Sequence, residues 1–234
     1  MRATAPTRIQ QRNRRLILEA ALEVFAQQGY RGATLDQIAA QAGLSKPNLL
    51  YYFNGKEAIH AALLADLLEA WLAPLRALDP GGDPLAEILG YVRRKLQMSR
   101  EYPRESRLFA NEILQGAPRI EGFIRGDLKR LVDDRAQVIR GWSAAGRIAP
   151  VDPHHLIFSI WALTQHYADF EAQIRMIRGS GVDPMEGAGA HLEAMFQGLL
   201  RPGAGVHPAF TGGGDASPGD SRRVNPGLTG VGED

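Results

Sequence analysis

The chain is expected to be all-α, and three features of its sequence say so. Apolar residues recur at three- and four-residue spacing along most of the 234 residues, glycine and proline clusters cut that pattern into pieces of helical length, and no stretch alternates apolar with polar residues as a half-buried strand does. About nine helices follow from this reading, in a small N-terminal three-helix unit and a larger C-terminal helical unit.

Residues 1 to about 10 read as a flexible arm. The first helix covers about 12–28, with Leu16, Ile17, Ala20, Ala21, Val24 and Phe25 on one side and Gly29 closing it. The next segment, TLDQIAAQAGLSKPNLLYYFNGK at 34–56, carries the most information in the chain. Thr34 is a good N-cap because its hydroxyl accepts from a free first-turn N–H, and Asp36 suits the positive end of the helix. Leu35, Ile38, Ala39 and Ala42 keep helical spacing until Gly43 supplies a left-handed turn. Ser45 caps a second short helix, Pro47 sits in its first turn where a missing N–H costs little, and Leu49 with Phe53 forms the inner stripe.

A small Ala39, a glycine four residues on and a large apolar Leu49 let two helices cross steeply at close range, the arrangement of a helix-turn-helix. In that motif the second helix enters the major groove of DNA. Lys46 can donate to guanine, Asn48 suits adenine and the Pro47 ring can pack on a thymine methyl, so these are the candidate base readers. Thr34, Tyr51, Tyr52 and Lys56 are candidates for phosphate contacts, which fix register without reading sequence. The same hairpin also occurs in helical proteins that bind no DNA.

Charge distribution points the same way. Net charge is +1 overall, but residues 1–56 hold eight basic against three acidic residues, +5, leaving −4 for the remainder. The N-terminal arginines read either as phosphate contacts or as a solvated arm. Hydrophobic content of 44% supports a packed core, and the absence of cysteine excludes disulfides and thiolate metal sites. Residues 1–15 are polar with five arginines and no apolar run approaches membrane-spanning length, so neither a leader nor a membrane partner is expected and the cytoplasm is the expected location. No nucleophile, base and orienter set, carboxylate pair, metal motif or phosphate loop stands out, so neither enzyme, metal site nor cofactor is expected.

A fourth helix from Lys56 to about Ala77 is long enough to link the two units, with Pro74 expected to kink or end it. Further helices are expected at about 84–100, 104–115, 120–145, 154–178 and 184–200, separated by PGGDP, Pro103, GAP, AGRIAPVDP and GSGVDP. The expected division is 1–55, 56–201 and a disordered tail at 202–234, where nine glycines and four prolines accompany little apolar content.

The segment HLIFSIWALTQHYADF at 155–170 is apolar nearly all round yet carries Trp161, Gln165, His166 and Tyr167. Polar groups on a buried helix need partners, and a ligand is one way to supply them. Trp161 and Gln165 are four apart and share a face, where an indole meets a flat ring while an amide offers an acceptor and a donor to a cyclic imide edge such as that of uracil. A core tryptophan and an amide satisfied within the protein would give the same pattern.

On these residues the N-terminal third resembles the TetR family of one-component repressors. That resemblance implies a three-helix DNA-binding domain, a helical effector and dimerisation domain, and a connecting fourth helix. Family members commonly carry Tyr at the position of Leu50 and His at that of Tyr52; LLYYF departs from this, and a phosphate contact from position 50 is lost. With NLLYYF at 48–53, WLAPL at 71–75, GAP at 116–118, GDLK at 126–129, IAPVDPHHLIF at 148–158 and IWALTQHYADF at 160–170, the chain to about 201 is similar to the branch of the family that regulates pyrimidine utilisation. The resemblance implies a homodimer, closed by the last two helices, that binds a palindromic double-stranded DNA operator and releases it on binding uracil or thymine. It also implies that Trp161 and Gln165 hold the pyrimidine, with Trp71, His166 and Tyr167 as wall residues. A family member that senses a different, more hydrophobic small molecule is the alternative.

Overall fold

The computed structural model describes residues 7–179 and 181–203. Of the expected arm at residues 1 to about 10, residues 1–6 lie outside these and residues 8–10 belong to the first helix; of the expected tail at 202–234, residues 204–234 lie outside them. Every regular element among the described residues is helical. The order is α1 (Arg8–Gly32), α2 (Leu35–Gln41), α3 (Lys46–Tyr52), α4 (Lys56–Arg76), α5 (Pro84–Glu101), α6 (Pro103–Leu114), a three-residue α7 (Glu121–Phe123), a π-helical turn (Ile124–Leu128), α8 (Lys129–Ala144), α9 (Pro153–Asp169), α10 (Glu171–Arg178) and α11 (Ala188–Leu200).

The N-terminal unit is built by its caps. Thr7 and Thr34 each close a capping box with a glutamine three residues on, and the Ser45 hydroxyl accepts from Asn48 N. Gly29 and Gly43 both stand at φ +68, so they bend the chain where a side chain would be strained. Gly29 lies within α1 as a break, and the helix starts four residues earlier than the expected boundary because Thr7 caps it. Ile17, Ala21, Phe25, Ile38, Ala39, Leu49, Phe53 and Ile59 form the core of this unit, joined by Leu108, Ala117 and Ile120 from the region of α6.

The second unit packs α4, α5, α8, α9 and α11 around Leu75, Ile88, Val92, Ile139, Trp142, Leu156, Ile160 and Phe196. Three expectations about its helices are corrected. The helix expected at 154–178 breaks at Phe170, outside helical geometry, into α9 and α10, with no glycine or proline to announce it. The helix expected from 184 starts only at Ala188, because Gly187 adopts a left-handed conformation. Within the run from Glu121 to Ala144, Ile124–Leu128 takes π-helical geometry. Pro74 does not end α4 on the spot; the helix continues to Arg76.

α4 also corrects the expectation about apolar runs: its 21 residues, with a window hydropathy of 1.4, are long and apolar enough to cross a membrane. In the fold that apolar character is spent on packing, since Ile59, Leu64 and Leu68 enter the first core, Leu75 the second, and Leu67 with Trp71 a small cluster between them.

Candidate functional site

The outer face of α3 is open. Lys46, Pro47 and Asn48 are all exposed in its first turn, while Leu49 beneath them is fully buried. Lys46 Nζ lies 3.0 Å from Asp36 Oδ2 in a pair with both side chains largely in water, so the lysine is held in place by little energy. Tyr51 is 70% exposed and meets Tyr52 edge to face at 5.1 Å. Its hydroxyl accepts from Gln10 Nε2 at 3.3 Å, and the half-buried Tyr52 hydroxyl accepts from Asn13 Nδ2 at 2.9 Å. Both tyrosines thus tie α3 to the start of α1 and keep their own O–H for another acceptor. Thr34 stays at the exposed α2 cap.

Lys56 differs from the other candidates. Its ammonium donates to the Tyr30 and Ala33 carbonyls, each at 2.7 Å, and stands 4.6 Å from the Tyr30 ring centroid. Most of its hydrogen-bonding capacity closes the end of α1, so the geometry turns inward a residue expected to reach phosphate.

A second set of polar groups lies inside the larger unit. On α5, Tyr91 and Lys95 are one turn apart, hence on one face, and both are buried. On α9, Trp161, Gln165 and Asp169 fall on one stripe by the same spacing. Trp161 Nε1 donates to the Tyr91 hydroxyl at 2.6 Å, and Asp169 is the carboxylate that acts on Lys95 electrostatically. Pairing 91 with 161 and 95 with 169 sets α5 and α9 running in the same direction. Gln165 is half-buried and its amide makes no hydrogen bond among the described residues. From α6, Ser106 donates to Asp169, and from α4 the Trp71 ring lies 4.4 Å below the Lys95 ammonium and 5.9 Å from Phe109.

This interior is electrostatically costly. Burial drives the Lys95 ammonium down to about 8, opposed by Asp169. Burial raises the Asp169 carboxyl, opposed by the Ser106 hydroxyl, and raises the Tyr91 phenol. Trp71 Nε1 is buried with no hydrogen-bond partner.

Of the residues expected to contact an effector, Trp71 and Trp161 are thus linked through α5, and Gln165 lies one turn beyond Trp161 on the same stripe of α9. His166 is not brought to this set: one residue beyond Gln165 on the helix, it is rotated away, exposed, and stacked on Phe170 at 4.9 Å. Tyr167 is half-buried and lines two surface clefts, one of them shared with His166 and His191. Tyr91, Lys95, Ser106 and Asp169 escaped the sequence reading. The i, i+4 pair Tyr91 and Lys95 amid apolar residues was the available signal for two of them, but the partners lie on other helices.

α6 touches both regions. Besides Ser106 inside, it carries Arg104, which pairs with Glu19 and Glu23 of α1 at 2.8 Å each. Near its C-terminus Glu112, 1% exposed, accepts from Arg119 Nη1 at 2.8 Å and also from the Arg119 backbone N–H. The Arg119 guanidinium lies 3.5 Å from the Tyr30 ring centroid, and buried His60 meets the Phe25 and Tyr30 rings edge-on at 5.0 and 4.9 Å. This junction joins α1, α4 and the turn after α6. Sequence reading gave the link between the units to α4 alone.

An exposed reading helix on a compact capped hairpin, joined to a helical body with an internal polar site, is the architecture of a one-component regulator. Residues 17–63 match the family of bacterial regulatory proteins of the tetR type, and residues 64–201 match the YcdC-like protein C-terminal region. The chain belongs to the TetR family and is a DNA-binding transcriptional regulator of TetR type, not an enzyme. It is 52% identical to the HTH-type transcriptional regulator RutR of Escherichia coli (strain K12) over 167 residues, covering 71% of this chain and 79% of that protein. Among solved structures, a putative transcriptional regulator from Streptomyces coelicolor superposes with a TM-score of 0.61 at 27% identity, covering 81% of this chain and 99% of that one. The fold is shared as well with AibR, solved with isovaleryl coenzyme A and operator DNA, at a TM-score of 0.62 and 20% identity, covering 81% and 99%.

Proposed function

We propose that this regulator is a cytoplasmic homodimer that represses genes of pyrimidine catabolism and releases its palindromic operator on binding uracil or thymine. The observation that carries the pyrimidine reading is the Gln165 amide, half-buried beside Trp161 and without an internal hydrogen bond. An indole for stacking and an amide offering one acceptor and one donor suit the adjacent C=O and N–H of a pyrimidinedione. Similarity to RutR over both units, together with the resemblance of 148–170 to the pyrimidine branch of the family, supports the same reading. A purely hydrophobic effector fits less well, since it would leave Gln165 and the buried Lys95 without partners.

On the DNA side, Lys46, Pro47 and Asn48 read bases, and Thr34, Tyr51 and Tyr52 hold phosphates. Lys56 contributes through the geometry of the α1 terminus. Exposed Phe158 on α9 and Met195 on α11 support a dimer closed by these helices. Ligand binding shifts the two heads away from the spacing the operator needs, which requires tighter binding to the DNA-incompetent state. α6 is the path, because it bonds Asp169 at one end of the coupling and Glu19 and Glu23 at the other.

Titrating uracil, thymine and a purine control into a protein–operator complex tests this. Release by the pyrimidines alone is expected; indifference to both pyrimidines would reject them as effectors.

A further inference from the structure

The short helix α3 has an inner and an outer side. Leu49 is fully buried, Phe53 closes the same inner stripe, and Tyr52 packs half-buried against the core. Leu50 stands apart from all three: it is 44% exposed and lies outside both the core of the N-terminal unit and the half-buried residues packed on it. Its neighbours on the helix surface, at i−4 and i−3, are Lys46 and Pro47, both exposed. A large apolar side chain therefore occupies the outer face of α3 between a lysine and a proline. A lone exposed leucine elsewhere on a protein surface calls for no account. This one stands on the face that a helix-turn-helix presents to the major groove.

We propose that Leu50 determines sequence specificity: with the Pro47 ring it forms an apolar notch that receives the 5-methyl group of one thymine in each operator half-site. This rests on the assignment of α3 as the base-reading helix and adds to it a residue that acts without hydrogen bonds. Leucine has neither donor nor acceptor, so it can bond neither a phosphate nor the polar atoms of a base edge. The methyl of thymine is an apolar group on the floor of the major groove, and among the four bases thymine alone carries it there.

The neighbours of Leu50 set where that thymine lies. Lys46 is about one turn back on the helix, a distance of about 5.4 Å, which spans one to two base pairs at about 3.4 Å each. The thymine thus falls within about two base pairs of the guanine that Lys46 reads. Asn48, two residues before Leu50, does not share its side of the helix, so its adenine is read separately. Burying one methyl group changes affinity about fourfold. An adenine in the thymine's place would set its N6 amino group against hydrocarbon, so the notch disfavours it as well.

Selection of binding sites from a random DNA pool, with the full chain as wild type, Leu50→Ala and Lys46→Ala, tests this. The selected duplex is then titrated beside duplexes in which each thymine in turn is replaced by deoxyuridine, which lacks only the methyl. For wild type, the replacement at one thymine of each half-site, close to a preferred guanine, is expected to cost about fourfold in affinity. In Leu50→Ala the same replacement loses most of its effect, which is the coupling a double-mutant cycle reads, and selection no longer favours thymine there. Wild type indifferent to the methyl at every thymine overturns the proposal, as does a methyl effect of equal size in wild type and Leu50→Ala. If Lys46→Ala alters the selected sequence and Leu50→Ala does not, the role of Leu50 falls and the reading of α3 stands; if neither variant alters it, both fall. Circular dichroism reports whether each variant folds. If Leu50→Ala does not fold, Leu50→Gln, which puts an amide in place of the hydrocarbon, decides by the same comparison.

Discussion

The α3 surface and the α5–α9 interior both present polar side chains, but they keep them in different surroundings. Lys46 and Asn48 sit in water above a fully buried Leu49, so holding them ready costs the fold almost nothing. Lys95 and Trp71 are each 4% exposed, with Trp71 Nε1 lacking a hydrogen-bond partner, so holding them inside is taken from stability. Water can serve a surface that meets DNA until the DNA arrives. A pocket that must tell one flat ring from another has to exclude water beforehand, and its specificity comes from the penalty for the wrong occupant.

Substitutions can break or sharpen that contrast. The largest effect is expected between the two regions, at the buried Glu112–Arg119 pair. Glu112→Ala leaves the Arg119 guanidinium unpaired and should destabilise the protein by about 3–5 kcal/mol in urea unfolding; a loss under about 1 kcal/mol would mean that the pair behaves as a surface bridge.

His60 in the same junction gives the next effect. Burial holds its imidazole down at about 4, against an ordinary value of 6.5. Between those values the unfolded chain binds more protons, so stability is complete above about 6.5 and declines as pH falls toward 4, by about 2–3 kcal/mol in all. His60→Phe should flatten that part of the pH–stability curve; an unchanged slope would place the acid sensitivity elsewhere.

Lys95→Met should then raise the stability of the unliganded protein, by about 1–2 kcal/mol, because a desolvated charge is replaced by a hydrocarbon of similar length. A loss of stability instead would show that the contact with Trp71 outweighs the burial cost. Lys46→Ala should do the reverse of an interior change: unfolding within about 0.5 kcal/mol of wild type, and operator affinity lower by about 1 kcal/mol, roughly fivefold, with random DNA less affected. Equal losses on both DNAs would remove Lys46 from the base readers.

The N-terminal unit was legible because its signals are local. Thr34, Gly43, Ser45 and Pro47 each act within a few residues of their own position, and all stand in the structure as their chemistry requires. The inward bonds of Lys56 are not local: its partners, the Tyr30 and Ala33 carbonyls, are more than twenty residues back along the chain. In the larger unit the break at Phe170 has no glycine or proline to mark it, and the π-helical turn within 120–145 has no sequence signature of its own. The candidate effector site was half legible. Trp161 and Gln165 share a helix face, which spacing reveals, whereas Lys95 reads as an ordinary charged residue until α4 and α9 are packed against α5.

By itself the sequence determined the helices of the head, its capped turn, the polar outer face of α3 and the stripe that carries Trp161 and Gln165, because each follows from periodicity and local hydrogen bonding. Only the tertiary structure decided that Lys95 lies over Trp71, that Ser106 reaches Asp169, that His166 turns away, and that α6 as well as α4 joins the two units. These depend on which helix faces meet and in what register, and no residue carries that information until distant segments are packed together.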